Sequence, residues 1–569
     1  MFSTKIVPIF LFSLVAASAQ QPAPVTAAAA PKTEAPAVAP KIDVGEPPPA
    51  APAIPTIFIA GDSTSQNGNP VATGWGKVFP EYFDATKVRV VNKSLGGRSS
   101  RTFITEGHWD KLVAELKAGD LVLIQYGMND GAERNGPRIA RGSLDGLGEE
   151  TEEIDNVVTK KHETLHTFGW YLRKMIADTR AKGATPVLLS LTVRDFWKDG
   201  KVERGAGRYG EWARELAVAE KLAFIDHTKL IADRYDQLGH VAVNSYFPRD
   251  HVHTGEDGAR LNAVMAVSGL KGLREQWLIR SLSLQGRMVP TAAPGDVYVF
   301  PQPPPRGGPR EEFAKWLNLP EVADPKQPTV WLIGDSTVRN GRGNGYDQQF
   351  GWGDPFEKYF YPGKTNVVNR AVGGTGARTF NGQWEAIKPQ LKKGDIVLIQ
   401  FGHNDNGARG ALKGTGDETE ERENAQTKEK ETVHSFGWYL RRYIADIREK
   451  EATPVLCTLV PRNSWKDGRI ARSPDSHADW TRAVATAEGV ALVDLNELIA
   501  KKYDALGQEA VTALFADKTV HTNWTGAELN ALTVVEGLRA LEKNPLAQHL
   551  RPTMGIVAPK PDDIAPPGK

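Results

Sequence analysis

Apolar residues fall along this chain in two alternating styles. Short runs, nearly unbroken in apolar character and rich in Val, Ile, Leu and Phe, are separated by longer stretches with helical periodicity. That alternation gives parallel strands joined by crossover helices. In the first half the runs are Thr56–Ala60, Val88–Val91, Leu121–Gln125, Thr185–Leu191 and Ala223–Asp226, which predicts four or five parallel strands. Strands apolar on both faces need helices on both sides of their sheet, so the pattern predicts an α/β sandwich.

The second half repeats the first. The segment Thr167-Phe168-Gly169-Trp170-Tyr171-Leu172-Arg173 returns as Ser435-Phe436-Gly437-Trp438-Tyr439-Leu440-Arg441, at an offset of 268 (438 − 170). The same offset relates Trp197 to Trp465 and His253 to His521, whereas Ser63 and Ser336 lie 273 apart (336 − 63), so small insertions separate the copies. The unit is a whole domain of more than two hundred residues rather than a solenoid module. At 569 residues the chain also exceeds what one core fills.

Composition adds the flanks. Lys5, an apolar run from Ile6 to Ala17 and the small residues Ala17-Ser18-Ala19 read as a cleaved export signal, which predicts a secreted or periplasmic protein. The expected organisation is signal 1–19, a Pro- and Ala-rich tether 20–55, a first domain 56–285, a linker 286–327, a second domain 328–548 and a Pro-rich tail 549–569. No run approaches the roughly 20 apolar residues of a membrane span. With 70 Lys and Arg against 69 Asp and Glu, no single-sign field draws in nucleic acid. The single cysteine, Cys457, lies in an apolar run and reads as a buried strand residue. Oligomeric state is not legible.

Ligands of an open parallel sheet bind at the carboxyl ends of its strands, so the polar residues following each run are the candidates. In the first copy these are Gly61-Asp62-Ser63-Thr64, Asn92 through Arg98 with Gly96-Gly97, and Gly127-Met128-Asn129-Asp130, followed late by Asp250-His251-Val252-His253. The second copy answers with Gly334-Asp335-Ser336-Thr337, Asn369 through Gly374, Gly402-His403-Asn404-Asp405, and Asp517 through His521. Such a set meets the needs of acyl transfer. A serine hydroxyl is a poor nucleophile until a His takes its proton and a carboxylate orients that His. Ser63, His253 and Asp250 fill those roles in one copy, and Ser336, His521 and Asp517 in the other. Oxyanion donors are expected from the backbone of Ser63 and Gly97 with the Asn129 amide, and from Ser336, Gly374 and Asn404. Asp and His three apart are expected one helical turn from each other.

On these blocks, with Gly-Trp-Gly at 74–76 and Gly97-Arg98-Ser99-Ser100-Arg101, both copies resemble the SGNH or GDSL hydrolases, and within them the rhamnogalacturonan acetylesterase branch. The resemblance spans nearly all of each folded copy. It implies two tandem flavodoxin-like three-layer α/β/α domains with parallel sheets, no metal, no cofactor, and removal of acetyl groups from pectic polysaccharide. Three departures stand out. Met128 replaces the His that the second copy keeps as His403, which predicts loss of a supporting hydrogen bond. Thr375-Gly376 replaces Arg98-Ser99 beside the oxyanion glycine. Asp517 and His521 are four apart, not three, and a lengthened turn threatens that pair. The rival expectations are an esterase or lipase of other acyl specificity, and one active domain beside a degenerate carbohydrate-binding copy.

Other conspicuous residues carry blander expectations. Trp75 and Trp352 read as core, and His166 and His434 as structural, whereas Trp197 and Trp465 are open between packing and lining the cleft. The acidic stretches 148–153 and 417–421 read as solvated loop or helix faces without metal-ligand spacing. No phosphate loop or dinucleotide fingerprint follows either first strand.

Overall fold

Side chains along the first strand of each copy alternate between two buried faces. In the first copy Ile57 and Ile59 join a cluster with Leu121, Leu123 and Val187, while Phe58 and Ala60 join one with Val122, Ile124 and Leu188. A strand apolar on both sides is satisfied only by helices above and below, and the chain supplies them. The computed structural model describes residues 54–298 and 310–552, apart from positions 67, 69, 70, 206, 346, 362, 425–427 and 473–475. The expected signal, nearly all of the tether and most of the tail lie outside the described residues.

The first domain contains β1 (Thr56–Gly61), β2 (Arg89–Asn92), β3 (Leu121–Gln125), a hairpin of β4 (Thr151–Asp155) and β5 (His162–His166), β6 (Thr185–Leu189), a small ribbon of β7 (Trp197–Lys198) and β8 (Lys201–Val202), and β9 (Ala223–Ile225). The linker adds β10 (Val297–Tyr298). The second domain follows with β11 (Thr329–Gly334), β12 (Asn366–Asn369), β13 (Ile396–Gln400), the hairpin β14 (Thr419–Glu423) and β15 (Lys430–His434), β16 (Thr453–Cys457), the ribbon β17 (Trp465–Lys466) and β18 (Arg469–Ile470), and β19 (Ala491–Val493).

The sheets run in the order β2-β1-β3-β6-β9 and β12-β11-β13-β16-β19, all parallel, with β10 added antiparallel beside β9. This is the flavodoxin-like order, and the reversal beside β1 and β11 opens a crevice at their carboxyl ends. Both helical layers are present in each domain. In the first, the helices Phe168–Ala181 and Glu256–Gly272 pack on opposite faces. In the second, Phe436–Glu449 and Trp524–Ala540 do so.

The repeated Phe-Gly-Trp segment now has a local cause. Thr167 and Ser435 cap their helices by accepting from the N–H groups of Trp170 and Trp438 at 3.1 and 3.0 Å. A β-carbon on Gly169 or Gly437 would stand 2.6 Å from the Cα of Leu147 or Thr415, so only glycine lets that loop lie on the helix. His166 and His434 stack on Trp170 and Trp438 at 3.7 Å between ring centres, a packing role.

Two expectations change. The acidic stretches are neither helix nor plain loop. They lead into β4 and β14, whose carboxylates are exposed on hairpin ribbons with Ile154 as the one buried residue of β4. Part of the expected linker is built into the domains: β10 extends the first sheet, and Trp316 and Leu317 of the helix Arg310–Leu317 are buried with Trp331 and Trp384. Arg342 meets Glu275 at 2.8 Å where the domains join. Cys457 ends β16 fully buried, and burial pushes its thiol up. Among the described residues no helix is long and apolar enough to cross a membrane.

Candidate active site

The turn after β1 is shaped by its own aspartate. Asp62 Oδ1 accepts from the N–H and the hydroxyl of Thr64, both at 2.8 Å, closing a side-chain turn around Ser63. Asp335 does the same for Thr337 at 2.8 and 2.7 Å, around Ser336. The end of the next strand braces this turn: Asn92 donates to Ser65 O at 2.7 Å, and Asn369 donates to Val338 O at 3.0 Å. Neither the aspartates nor these asparagines stood out from the sequence as supports. Their only signal was a polar residue directly after an apolar run.

Beside each serine lies a glycine in the left-handed region, Gly97 at φ +75° and Gly374 at φ +77°. The Asn129 amide donates to the backbone carbonyl of Arg98 at 2.9 Å, and Asn404 donates to that of Thr375 at 3.1 Å. One amide hydrogen is thereby fixed and the other stays available. Because a backbone carbonyl receives this bond, replacing Arg98 by Thr375 leaves the loop's shape intact. Thr375 turns its hydroxyl to Val372 O at 2.8 Å.

The imidazoles reach both serines. His253 Nε2 lies 3.0 Å from Ser63 Oγ, and its Nδ1 lies 2.8 Å from Asp250 Oδ2. In the second domain His521 Nε2 lies 2.8 Å from Ser336 Oγ, with Nδ1 2.5 Å from Asp517 Oδ2. No helix makes these pairs, contrary to expectation. In the first, Asp250 Oδ1 accepts the N–H groups of Val252 and His253, both at 2.8 Å, so the carboxylate itself folds the turn. In the second, Asp517 Oδ1 accepts three N–H groups, from Thr519, Val520 and His521, and Lys518 takes φ +74°. The extra residue is absorbed as a left-handed step, and the pair is kept. Burial works upward on both carboxyls, but the backbone and imidazole donors outweigh it and hold each at about 2.

Behind Asn129 and Asn404 sit two buried carboxyls, Asp130 and Asp405, for which the sequence pattern suggested no role of their own. Asp130 accepts from the N–H and hydroxyl of Ser100, and Asp405 accepts from the N–H of Ala377 at 2.8 Å. Burial pushes each up to about 7, with the nearby Asp62 or Asp335 adding to it. The Met128 departure removes less than expected. His403 is buried, which lowers its pKa, and neither of its ring nitrogens makes a well-formed hydrogen bond. Trp75 and Trp352 are core, donating to Gln125 and Gln400 at 2.8 and 2.7 Å. Trp197 and Trp465 are partly buried and tied to Asp195 and Asn463 at 2.7 and 2.8 Å, which favours packing. Among the described residues no group of three His, Cys, Asp or Glu is gathered to hold a metal ion.

Comparison with known proteins gives the class to which this fold and these sites belong. The chain belongs to the GDSL-like Lipase/Acylhydrolase family, which matches residues 59–261 and 332–529, once in each domain. It is accordingly a carboxylic ester hydrolase carrying two tandem copies of the family's domain. A rhamnogalacturonan acetylesterase of Emericella nidulans is 32% identical over 208 residues, covering 37% of this chain and 81% of that protein. The rhamnogalacturonan acetylesterase RhgT of Bacillus subtilis is 32% identical over 238 residues, covering 39% of this chain and 93% of its own length. A crystal structure of the YxiM protein of Bacillus subtilis is 27% identical, covers 38% of this chain and 56% of that one, and has a TM-score of 0.31.

Proposed function

We propose that the protein is an exported acetylesterase that deacetylates a pectic polysaccharide at two sites, one per domain. The observation that carries the reading is the row of hydroxyl, imidazole and carboxylate in each domain, with contacts of 3.0 and 2.8 Å in the first and 2.8 and 2.5 Å in the second. In this mechanism His253 takes the proton of Ser63 as its oxygen attacks the ester carbonyl, and Asp250 holds the imidazolium that forms. The tetrahedral oxyanion is received by the N–H groups of Ser63 and Gly97 and the free amide hydrogen of Asn129. Collapse passes the proton from His253 to the departing sugar hydroxyl, leaving acetyl on Ser63. Water, deprotonated by the same imidazole, then releases acetate. Ser336, His521, Asp517, Gly374 and Asn404 do the same in the second domain.

Support for an acetyl group on a carbohydrate comes from the two acetylesterase relatives, each of which matches less than half of this chain, 37% and 39%. Support for export comes from the Lys5 to Ala19 pattern. The test is acetate release from acetylated pectic polysaccharide, together with a chain-length series of aryl esters. Acetyl preferred over butyryl and longer acids, with release from the polymer, is the expected result. A preference for long acyl chains would give the protein another acyl specificity.

A further inference from the structure

A cleft of about 510 Å³ begins at Gly97 in the first domain and runs between the loop 131–141 and the tip of the β4–β5 hairpin. Four cations line it, Arg98, Arg138, Arg141 and Lys161, against two carboxylates, Glu106 and Glu163. Both carboxylates are already engaged. Glu163 is held by the fully buried Arg101 at 2.6 and 2.7 Å, and Glu106 by Arg98 at 2.9 Å. Arg141 donates to Gly97 O at 3.0 Å and keeps a buried Nε without a partner. Arg138 and Lys161 are exposed.

The wall is built in advance. Arg101 donates to the carbonyls of Arg134 and Gly142 at 2.9 and 2.8 Å, and Asn135 is bonded to Asp155 O and to the N–H of Val157 at 3.0 and 2.8 Å, tying loop to hairpin. The second domain keeps the anchor on a shorter loop. Arg378 donates to Gly410 O at 2.9 Å as Arg101 does to Gly142, yet only residues 406–409 separate Asp405 from Gly410, where 131–141 separate Asp130 from Gly142. At the positions of Arg98, Glu106 and Lys161 stand Thr375, Gln383 and Glu429, leaving Arg409 and Lys430 against Glu429 and Glu431.

We propose that the cleft beside Gly97 is a subsite for a carboxylate-bearing sugar unit, and that the second domain, lacking it, is indifferent to polymer charge. The two sites then divide the acetyl esters of a polysaccharide between acidic and neutral stretches. The proposal rests on the esterase reading and refines its substrate. Four cations along a cleft that opens at Gly97, two of them exposed and without a fixed partner, favour an anion held beside that glycine's loop.

The test isolates each site by Ser336→Ala or Ser63→Ala in the full chain. The substrates are acetylated polygalacturonate and the same polymer with its carboxyls reduced to alcohols. For the first site, kcat/KM is expected to favour the acidic polymer about tenfold, the ~1.4 kcal/mol that two partly exposed ion pairs provide. The ratio should fall toward one with Arg138→Ala plus Lys161→Ala, and with added salt. For the second site the ratio should stand near one from the start. Equal ratios at the two sites, or a first-site preference untouched by the paired substitution, overturn the proposal. Binding of oligogalacturonate to the Ser63→Ala, Ser336→Ala chain, measured by calorimetry, separates the failures: binding lost on substituting Arg138 and Lys161 upholds the subsite even if no ester is cleaved, and absent binding overturns it.

Discussion

Asp250 and Asp517 each do two jobs with one side chain: one oxygen folds the turn by accepting backbone N–H groups, and the other orients the imidazole. Held at about 2, both stay ionised through the whole neutral and mildly acidic range. In a chain carrying Ser336→Ala, Asp250→Asn should therefore lower kcat by roughly 10⁴-fold through loss of the correct imidazole tautomer, measured on an aryl acetate. Asp130 and Asp405 behave oppositely. Their carboxyls, raised to about 7 in the fold from 3.8, bind more protons folded than unfolded, so stability falls as pH climbs from about 4 to 7 and is flat above. The slope is at most about 1.4 kcal/mol per pH unit for each group. Urea midpoints at pH 5 and pH 8 should differ less in the Asp130→Asn, Asp405→Asn chain than in the parent, and an unchanged difference would show these carboxyls to titrate normally.

At the scale of elements, the turn from Asp517 to His521 shows how a spacing can mislead. An i,i+4 pair read as helix suggested a weakened contact, whereas side-chain-to-backbone hydrogen bonds and a left-handed Lys518 hold it. Proline cannot adopt positive φ, so Lys518→Pro in the Ser63→Ala chain should abolish most of the remaining activity, while Lys518→Gly keeps it; equal activity of the two variants would count against the turn. The central strands were legible because β1, β3, β11 and β13 are buried on both faces and carry an apolar residue at nearly every position. The two-residue β10 was not, since its pairing with β9 is an edge contact made by a Pro- and Gly-rich stretch with no periodicity of its own. The blocks of the candidate site were legible because they follow strand ends in both copies. Their supports were not: Asp62, Asn92 and Asp130 act through backbone N–H and carbonyl groups that no residue pattern displays.

For the whole molecule, repetition is the main fact: two sheets of one order, two serines beside two left-handed glycines, and two imidazoles within reach of them. The differences include the seven residues missing from the second domain's loop, the added residue of its final turn, and the exchanges of Arg98 for Thr375 and Met128 for His403. Glu275→Arg, which opposes Arg342 across the junction of the domains, should loosen that junction without touching either row. Limited proteolysis should then cut faster near 318–327 than in the parent, and identical cleavage rates would show the pair to be dispensable. The most direct test of two working sites is reaction with a serine-directed phosphonate ester, counted by intact mass. Two adducts per chain, mapping to Ser63 and Ser336 and dropping to one in either alanine variant, are predicted; a single adduct in the parent chain, or adducts that survive both substitutions, would contradict the account.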